Sequence, residues 1–150
     1  MRRACDSMKT EAAIRELIER RADAFRAKDV EGVFACQSED IVQFILAPPL
    51  KCAGRTTFDR ESMEEWFASF QGPLGYEVRE LEITATDEIA FAHSLNHLTG
   101  TGTDGKESKL WFRDTLCFRQ IEGAWKIIHE HSSVPFYMDG SLKAAIDLEP

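Results

Sequence analysis

Residues 123–133 read G-A-W-K-I-I-H-E-H-S-S and decide how the second half of the chain is interpreted. The stretch opens with the end of a Glu-Gly pair at 122–123, which is typical of a tight hairpin turn. An apolar run follows and gives way to polar residues, which predicts a strand over 124–134. Side chains two residues apart in a strand share a face, so one face is predicted to carry Trp125, Ile127, His129, His131 and Ser133.

Upstream of this strand the sequence alternates in three more segments. We predict strands over 74–85, 89–99 and 109–121, the last two joined by a hairpin loop that reads G-T-G-T-D-G-K. Four consecutive strands of this kind form an antiparallel meander.

The segment 74–85 contains a change of phase. Tyr76 and Val78 alternate in one register, whereas Leu81 and Ile83 alternate in the opposite one. A one-residue switch predicts a β-bulge near Arg79-Glu80, which would bend the sheet.

The first half of the chain reads mainly as helices. Thr10 is an N-cap candidate for a first helix, whose buried face recurs at helical spacing: Ile14, Leu17, Ile18, Ala22 and Phe25. Asp29 caps a short second helix. After a strand that contains I-V-Q-F-I-L at 41–46, a third helix places these side chains on one face: Met63, Trp66, Phe67 and Phe70.

Helices at the start of the chain and strands afterwards predict an α+β domain. We expect a cone-shaped, strongly bent, mostly antiparallel sheet with three N-terminal helices packed on one face, enclosing a pocket. The domain is predicted over residues 9–136, preceded by a disordered tail at 1–8 and followed by a tail at 137–150. Within that second tail, residues 141–146 are compatible with a short helix.

Composition excludes several classes of protein. A formal net charge of -8 argues against nucleic acid or an anionic membrane as a partner. The sequence contains no run of about 18 apolar residues, so we expect no transmembrane helix. The cysteines fit neither a paired metal motif nor a disulfide framework, so we expect a reducing, cytoplasmic location: Cys5, Cys36, Cys52 and Cys117.

The candidate site lies on the predicted strands. One interpretation has Arg113, Thr115, His129 and His131 line the pocket, with Trp111, His93, Asn96, His97 and the pocket edge of the third helix at Trp66 nearby. An arginine in an apolar cone needs an anion, which a carboxylate or enolate ligand would supply, and a neighbouring histidine could move a proton near neutral pH. In the alternative interpretation, Arg113 pairs with an acidic side chain and the histidines satisfy buried carbonyl groups. Both faces of the strands mix apolar and polar residues, so the pattern leaves open which face is inside.

Other kinds of site are poorly supported. The H-E-H sequence at 129–131 offers two ligands where a stable metal site wants three or four, and it differs from H-E-x-x-H. No nucleotide or flavin motif is present, so no cofactor is expected. Asp114 alternates away from Arg113, and its charge is expected to be met at a subunit interface or in a salt bridge.

The layout, with R-A-K-D-V-E-G-V at 26–33 and the 123–133 stretch, resembles the nuclear-transport-factor-2-like superfamily. It is similar to SnoaL-like and ketosteroid-isomerase-like proteins, and to the association domain of calcium/calmodulin-dependent protein kinases. The resemblance covers roughly residues 9–136. It implies a cone-shaped pocket that binds a small molecule, on which the protein acts as a cofactor-independent isomerase, cyclase or dehydratase. It also allows a protein without catalysis that serves as an oligomerisation hub or only binds a ligand.

The resemblance also implies where ketosteroid isomerases carry their functional groups. A tyrosine on the first helix donates to the oxyanion, and an aspartate on the first strand is the base. Here Arg21 and Ile45 fall at those two positions. We therefore expect a small-molecule ligand, which an anionic compound could be. We do not expect the tyrosine and aspartate pair that ketosteroid isomerases use. Apolar residues on the outer sheet face favour a homodimer, and the kinase-hub analogy would allow a larger ring.

Overall fold

The computed structural model describes residues 2–54 and 59–150, with side chains described from residue 6 onward. The described residues form three helices: α1 (Arg2–Arg26), α2 (Val30–Ala35) and α3 (Arg60–Ala68). They also form six strands: β1 (Gln37–Phe44), β2 (Cys52–Ala53), β3 (Phe70–Ala85), β4 (Ile89–Gly102), β5 (Glu107–Ile121) and β6 (Ala124–Ser133). The α+β class predicted from the sequence is confirmed.

Helix α1 packs against the sheet through the apolar stripe that its sequence predicted. Ile14, Leu17, Ile18, Ala22 and Phe25 are all buried. The helix begins at Arg2 and not at Thr10, so residues 2–8, expected as a tail, extend it. No described helix combines the length and apolar character needed to cross a bilayer.

The sheet has the order β2-β1-β6-β5-β4-β3, with antiparallel pairing except between β1 and β6. The long strands β3 to β6 form the predicted meander. Two of the three hairpins that join these strands differ in the way the sequence indicated. Glu122 (φ 52°) and Gly123 (φ 81°) make a two-residue turn in which both residues have positive φ, as a type I′ hairpin requires. The loop between β4 and β5 is shorter than predicted, because the pairing of these strands extends to Thr101 and Glu107.

Strand β3 contains the predicted bulge. Its pairing with β4 shifts between Arg79 and Glu82, and Glu80 has a left-handed backbone with φ 54°. Tyr76 and Val78 lie on the inner side before the bulge, and Leu81 and Ile83 pack there after it. A bulge increases the local twist of a strand, so this one curls the sheet around the helices.

Two clusters of buried apolar side chains fill the space between helices and sheet. One is centred on α3 and the open end of the sheet, with Phe25, Met63, Phe67 and Phe112; the other includes Ile14, Leu17, Phe118 and Ile127. Side chains fill the end of the cone around the second cluster, whereas the end around the first cluster contains an unfilled cavity.

The C-terminal residues do not form the helix considered for 141–146. Phe136 and Ala144 make an isolated antiparallel bridge around a turn, and Ala145 is the buried residue of this segment. The described cysteines, Cys36, Cys52 and Cys117, are free thiols. The predicted cytoplasmic location stays a prediction.

Candidate functional site

A cavity of about 310 Å³ lies between the helices and the inner face of the sheet. Its walls are apolar and come from both layers: Phe25, Met63, Trp66, Leu98, Leu110 and Phe112, with residues 45–47 at the rim. Its polar lining is concentrated in six side chains: Arg21, Gln37, Gln43, Tyr76, Glu130 and Ser132. An apolar cavity with a few polar groups is the usual form of a small-molecule site.

A larger hollow of about 730 Å³ lies elsewhere, between α1, α2 and the start of β6. Its charged side chains, such as Glu16, Arg20 and Asp23, are exposed to solvent. Among the described residues that line the hollow, no charged side chain is buried, in contrast to Arg21 and Glu130 in the 310 Å³ cavity. We therefore take the smaller cavity as the candidate site.

Arg21 stands at the centre of the polar lining. It continues the apolar stripe of α1 one turn after Leu17 and Ile18, so its side chain enters the core, where it is only 4% exposed. Its Nη2 atom pairs with Glu130 Oε2, and Nη1 lies 3.6 Å from Asp114 Oδ2. Burial alone would lower the pKa of Arg21, but attraction to Glu130, Tyr76 and Asp114 outweighs it and raises that pKa.

Glu130 reaches the cavity from β6. Its Oε2 is held by Arg21, and its Oε1 accepts a hydrogen bond of 2.9 Å from Gln43 Nε2 on the neighbouring strand β1. Both carboxylate oxygens therefore have a donor, which is what a buried carboxylate needs. The group is oriented and still lines the cavity.

Asp114 lies behind Glu130 and is 2% exposed. Its carboxyl accepts hydrogen bonds from Ser132 Oγ (3.0 Å) and Asn96 Nδ2 (3.1 Å). Burial and the charge of Glu130 raise the pKa of Asp114 to about 7. A carboxyl group with this pKa can accept or release a proton near neutral pH, so Asp114 can do so beside Glu130.

Tyr76 adds a phenol to the same lining. Its ring stacks on Phe25 with centroids 4.7 Å apart, and its Oη accepts a hydrogen bond of 3.0 Å from Asn96 Nδ2. The amide is oriented in turn, because Asn96 Oδ1 accepts from Ser94 Oγ at 2.7 Å. Burial raises the pKa of Tyr76, so the phenol stays protonated.

Two nitrogen atoms of the Arg21 side chain make no hydrogen bond within the part of the chain that the structure describes. Nε is buried, has almost no accessible surface and lacks a partner, which is costly for an N–H group. Nη1 makes an ion pair of 3.6 Å with Asp114 Oδ2 that is too long for a hydrogen bond. The guanidinium group therefore keeps a donor for an oxygen acceptor beside the carboxyl groups.

The structure places most of the side chains predicted for the site on the opposite, outer face of the sheet. Trp66 lines the cavity, and Asn96 lies behind the lining, where its Nδ2 donates to the Tyr76 oxygen. The other predicted side chains lie outside: Trp111, Arg113 and Thr115 on β5, His93 and His97 on β4, and His129 and His131 on β6. The prediction that they line the cone therefore needs correcting.

The reason for this correction is an irregularity in β6. Ile127 pairs with Phe118 and His129 with Cys117, so Ile128 is an extra residue and the alternation reverses there. Ile127 therefore points inward and His129 points outward. The side chain that enters the cavity is Glu130, whereas its two histidine neighbours do not. A period-2 pattern counted through the bulge assigns them to the wrong side.

The outer-face side chains have partners of their own. His129 Nδ1 lies 2.6 Å from Val42 O, and His97 stacks on Trp111 with centroids 4.3 Å apart. Arg113 Nε donates to Ser133 Oγ at 3.0 Å and is exposed, so it needs no buried anion. Any acid–base role of His129 and His131 would have to be exercised on this face. Within the described residues, no group of three or more His, Cys, Asp or Glu side chains is arranged to hold a metal ion.

The sequence did contain signals for the residues that were missed. Arg21 falls within the apolar spacing of α1, where a charged residue stands out. On β5 the alternation that contains Asp114 is the more apolar one, with Phe112, Leu116 and Phe118. The salt bridge considered for Asp114 is present within the chain, to Arg21. Glu130, Gln43 and Tyr76 carried no comparable signal.

Comparison with known proteins now adds to this geometry. A family model described as SnoaL-like domain matches residues 14–137. The comparison with curated protein sequences gives no significant match.

Three solved structures illustrate the similarity. An NTF2-like protein of unknown function from Pseudomonas putida KT2440 is 34% identical, with 96% of this chain and 99% of that chain covered and a TM-score of 0.84. A proposed scytalone dehydratase from Novosphingobium aromaticivorans is 16% identical, with 91% of both chains covered and a TM-score of 0.76. The association domain of Caenorhabditis elegans CaMKII is 13% identical, with 85% and 97% covered and a TM-score of 0.65. The last two similarities show the fold alone.

Proposed function

This chain belongs to the SnoaL-like domain family, and on that premise we propose that it binds a small, largely apolar carbonyl compound and catalyses its isomerisation or dehydration by acid–base chemistry. The observation that carries the proposal is the cluster of Arg21, Glu130 and Asp114, buried at an apolar cavity with one N–H unpaired. The name of the Novosphingobium neighbour agrees with a dehydratase, and its similarity in fold makes that class a reasonable starting point.

The binding step follows from the composition of the cavity. The apolar walls, to which Trp66, Leu110 and Phe112 belong, remove the carbon skeleton from water. The ligand oxygen then accepts a hydrogen bond from Arg21 Nη1, whose 3.6 Å contact with Asp114 Oδ2 is an ion pair and not a hydrogen bond. In a cavity of low polarity this bond is stronger than in water, and it strengthens further if the oxygen gains negative charge.

The chemical step uses the carboxyl pair. The Glu130 carboxylate takes a proton from the carbon next to the carbonyl group, and the electron pair of the broken C–H bond moves to the carbonyl oxygen as an enolate. With a β,γ-unsaturated carbonyl compound the enolate is a dienolate, and return of the proton at the γ-carbon moves the double bond and gives isomerisation. Its delivery to a β-hydroxyl group, which leaves as water while the enolate reforms the carbonyl, gives dehydration. Asp114 serves as the proton reservoir behind Glu130, because its pKa is raised to about 7.

Hydrogen–deuterium exchange into 2-tetralone, an apolar bicyclic ketone, tests this function without knowledge of the natural substrate. We expect the protein in D₂O to accelerate exchange at the carbons beside the carbonyl group, as followed by NMR. Glu130→Gln should lower the protein-dependent rate by about 10² or more, which is the usual contribution of a general base. The outer-face variant His129→Gln is the matched control and should retain the rate. Exchange no faster than in buffer, or equal rates for the two variants, would argue against the proposal.

A second property rests on a different surface. Several large apolar side chains are exposed on or beside the outer sheet face, among them Ile89, Phe91, Phe136 and Met138. We propose that this face forms a homodimer, as exposed apolar patches commonly do, and the similarity in fold to an association domain is compatible with a larger ring. Analytical ultracentrifugation of the wild type and of Phe91→Glu measures the number of subunits. A wild-type dimer that becomes a monomer in the variant supports this interface, and a monomeric wild type contradicts the proposal.

A further inference from the structure

The carboxyl group of Asp114 reaches the cavity through Ser132. Asp114 is 2% exposed and is not among the described residues that line the 310 Å³ cavity, whereas Ser132 lines it and is only partly buried. The two residues lie directly opposite each other on β5 and β6, and Ser132 Oγ donates to Asp114 Oδ1 at 3.0 Å. A proton that moves between Asp114 and a ligand can therefore pass through the Ser132 hydroxyl group.

The surroundings of Asp114 favour one of its two oxygens as the site of the proton. Oδ2 accepts a hydrogen bond of 3.1 Å from Asn96 Nδ2 and lies 3.6 Å from Arg21 Nη1, and both of these nitrogens are donors only. Oδ1 faces the hydroxyl group of Ser132, which can accept as well as donate. The neutral form of Asp114 therefore places its proton on Oδ1, where Ser132 Oγ accepts it.

The direction of this hydrogen bond depends on the charge of Asp114. An ionised carboxylate accepts from the Ser132 hydroxyl group, whereas a protonated carboxyl group donates to it and leaves the Ser132 proton for another acceptor. Burial and the charge of Glu130 raise the pKa of Asp114 to about 7, so both forms are populated near neutral pH. In the protonated form, the Ser132 hydroxyl group can donate to a ligand oxygen in the cavity.

Ser132 and Glu130 provide two separate points of proton transfer. They lie two residues apart on the inner face of β6, which corresponds to about 6.5–7 Å along a strand, and both line the cavity. One bound ligand can thus lose a proton at one atom and gain a proton at a neighbouring atom. Dehydration uses such a pair, because one group removes the proton beside the carbonyl group and another protonates the hydroxyl group that leaves.

We propose that the substrate is a β-hydroxy carbonyl compound and that the Ser132 hydroxyl group relays the proton of Asp114 to the leaving oxygen. Glu130 removes the proton from the α-carbon. Ser132 then protonates the β-hydroxyl oxygen while Ser132 Oγ accepts the proton from Asp114 Oδ1. The electron pair of the C–O bond leaves with the water molecule, and the electrons of the enolate form the new C=C bond and restore the carbonyl group. This inference rests on the proposed function, since it uses the same base in the same cavity.

The protonation states return to their starting point after each turnover. The reaction leaves Glu130 neutral and Asp114 ionised, with Asp114 Oδ2 beside Arg21 Nη1, whose positive charge stabilises the new carboxylate. Transfer of one proton from Glu130 to the neighbouring Asp114 restores both groups. Ser132 is a catalytic residue in this scheme because it touches the reacting oxygen, and Asp114 acts through it.

Two reactions of the same protein separate the relay from the base. Dehydration is followed with 4-hydroxy-4-phenylbutan-2-one, whose product absorbs ultraviolet light as a conjugated enone, and the exchange into 2-tetralone needs only the base. We expect Ser132→Ala to lower kcat/KM for dehydration by about 10² or more and the exchange rate by less than about threefold. Ser132→Thr keeps a hydroxyl group and should retain most of the dehydration rate.

The matched control is Ser133→Ala, the same substitution at the next residue, which lies on the outer face beside Arg113. It should retain both rates. Titration calorimetry with 2-acetylnaphthalene, an apolar ketone without a β-hydroxyl group, checks that the cavity is intact. We expect its affinity to differ by less than about threefold among the wild type and the three serine variants.

Each other outcome contradicts a defined part of the proposal. If Ser132→Ala dehydrates as fast as the wild type, or loses both reactions equally, the relay is overturned. Dehydration by Ser132→Thr as slow as that by Ser132→Ala would show that the hydroxyl group is not what matters. A wild type that catalyses exchange but no dehydration overturns the β-hydroxy substrate and leaves the proposed function standing. If the wild type accelerates neither reaction, the proposed function itself fails.

Discussion

Arg21 and Glu130, 109 residues apart in the chain, form a buried ion pair that joins the first helix to the last strand. Asp114 on the adjacent strand completes the cluster, and all three residues are at most 5% exposed. Charges at this depth lose their hydration, so each depends on the others for its stability. The same arrangement connects the fold and the candidate chemistry.

Arg21→Met should destabilise the protein strongly. The variant leaves Glu130 and Asp114 buried without their cation, and loss of one partner of a buried pair typically costs about 3–5 kcal/mol. Adding Glu130→Gln should recover a large part of that loss, since it removes the uncompensated charge. Urea unfolding followed by far-ultraviolet circular dichroism measures both.

The matched control for this pair of variants is Arg15→Met, which breaks the exposed contact between Arg15 and Glu11. It should change the free energy of unfolding by no more than about 0.5 kcal/mol, because water screens that pair. A loss for Arg21→Met as small as that of the control would contradict the buried cluster.

The pH dependence of stability should report on Asp114. Its pKa is raised to about 7 in the folded protein from an ordinary value of 3.8, so the folded state holds more protons than the unfolded state between these values. The contribution of Asp114 to stability is therefore present at low pH and is lost as the pH rises toward about 7, with a slope of at most about 1.4 kcal/mol per pH unit.

Asp114→Asn isolates this effect because the amide does not titrate. We expect the unfolding free energy of the wild type minus that of the variant to fall between roughly pH 4 and 7 and to be level above pH 8 or so. Arg21 and Tyr76, which also face the group, have raised pKa values and keep their protons throughout, whereas Glu130 stays in both proteins. A difference that is constant or rises with pH would show that Asp114 is ionised in the fold.

The bulge in β3 gives a prediction about backbone strain. Glu80 has φ 54°, a conformation that a β-branched residue adopts poorly. Glu80→Val should therefore destabilise the protein by about 1–2 kcal/mol. Glu82→Val, in the same exposed strand but with ordinary backbone, is the control and should be close to neutral or slightly stabilising. Equal unfolding midpoints for the two variants would mean that the bulge relaxes without cost.

Several features of the fold followed directly from the sequence because they are encoded locally. The phase switch between Val78 and Leu81 identified the bulge, and the Glu122-Gly123 pair identified the hairpin turn. Asp29 caps α2 as predicted, with Gly32 N donating to its Oδ1 at 3.0 Å. In each case a few neighbouring residues determine the conformation.

The site was predicted less well because it depends on relations across strands. The bulge at Ile128 leaves no mark in the apolar pattern, since Ile127 and Ile128 are both apolar, and it decides whether His129 or Glu130 faces inward. The contacts of Glu130 with Arg21 and Gln43 come from a helix and from a parallel strand that lie far from it in sequence. Local alternation carries no information about such partners.

The histidine variants separate the two faces of the sheet. His129→Gln and His131→Gln should leave the affinity of the cavity for 2-acetylnaphthalene within about twofold of the wild type, because both side chains lie on the other side of the sheet. Glu130→Gln, between them in sequence, should change it more. If instead either histidine variant weakens binding as much as Glu130→Gln does, the face assignment of β6 is wrong.

Filling the cavity gives the most direct test of its role. Leu110 lines the cavity from β5, and Leu110→Trp would place a larger side chain in a space of about 310 Å³. We expect this variant to fold, since the extra volume enters existing space and not a packed core, and to lose most of its affinity for 2-acetylnaphthalene. Leu95→Trp makes the same change on the outer face, beside Trp111 and Arg113, and should bind as the wild type does. Calorimetric titration of the two variants decides between the faces: a loss confined to Leu110→Trp assigns binding to the inner cavity, whereas a loss confined to Leu95→Trp would move the binding site to the outer face and remove the basis of the proposed chemistry.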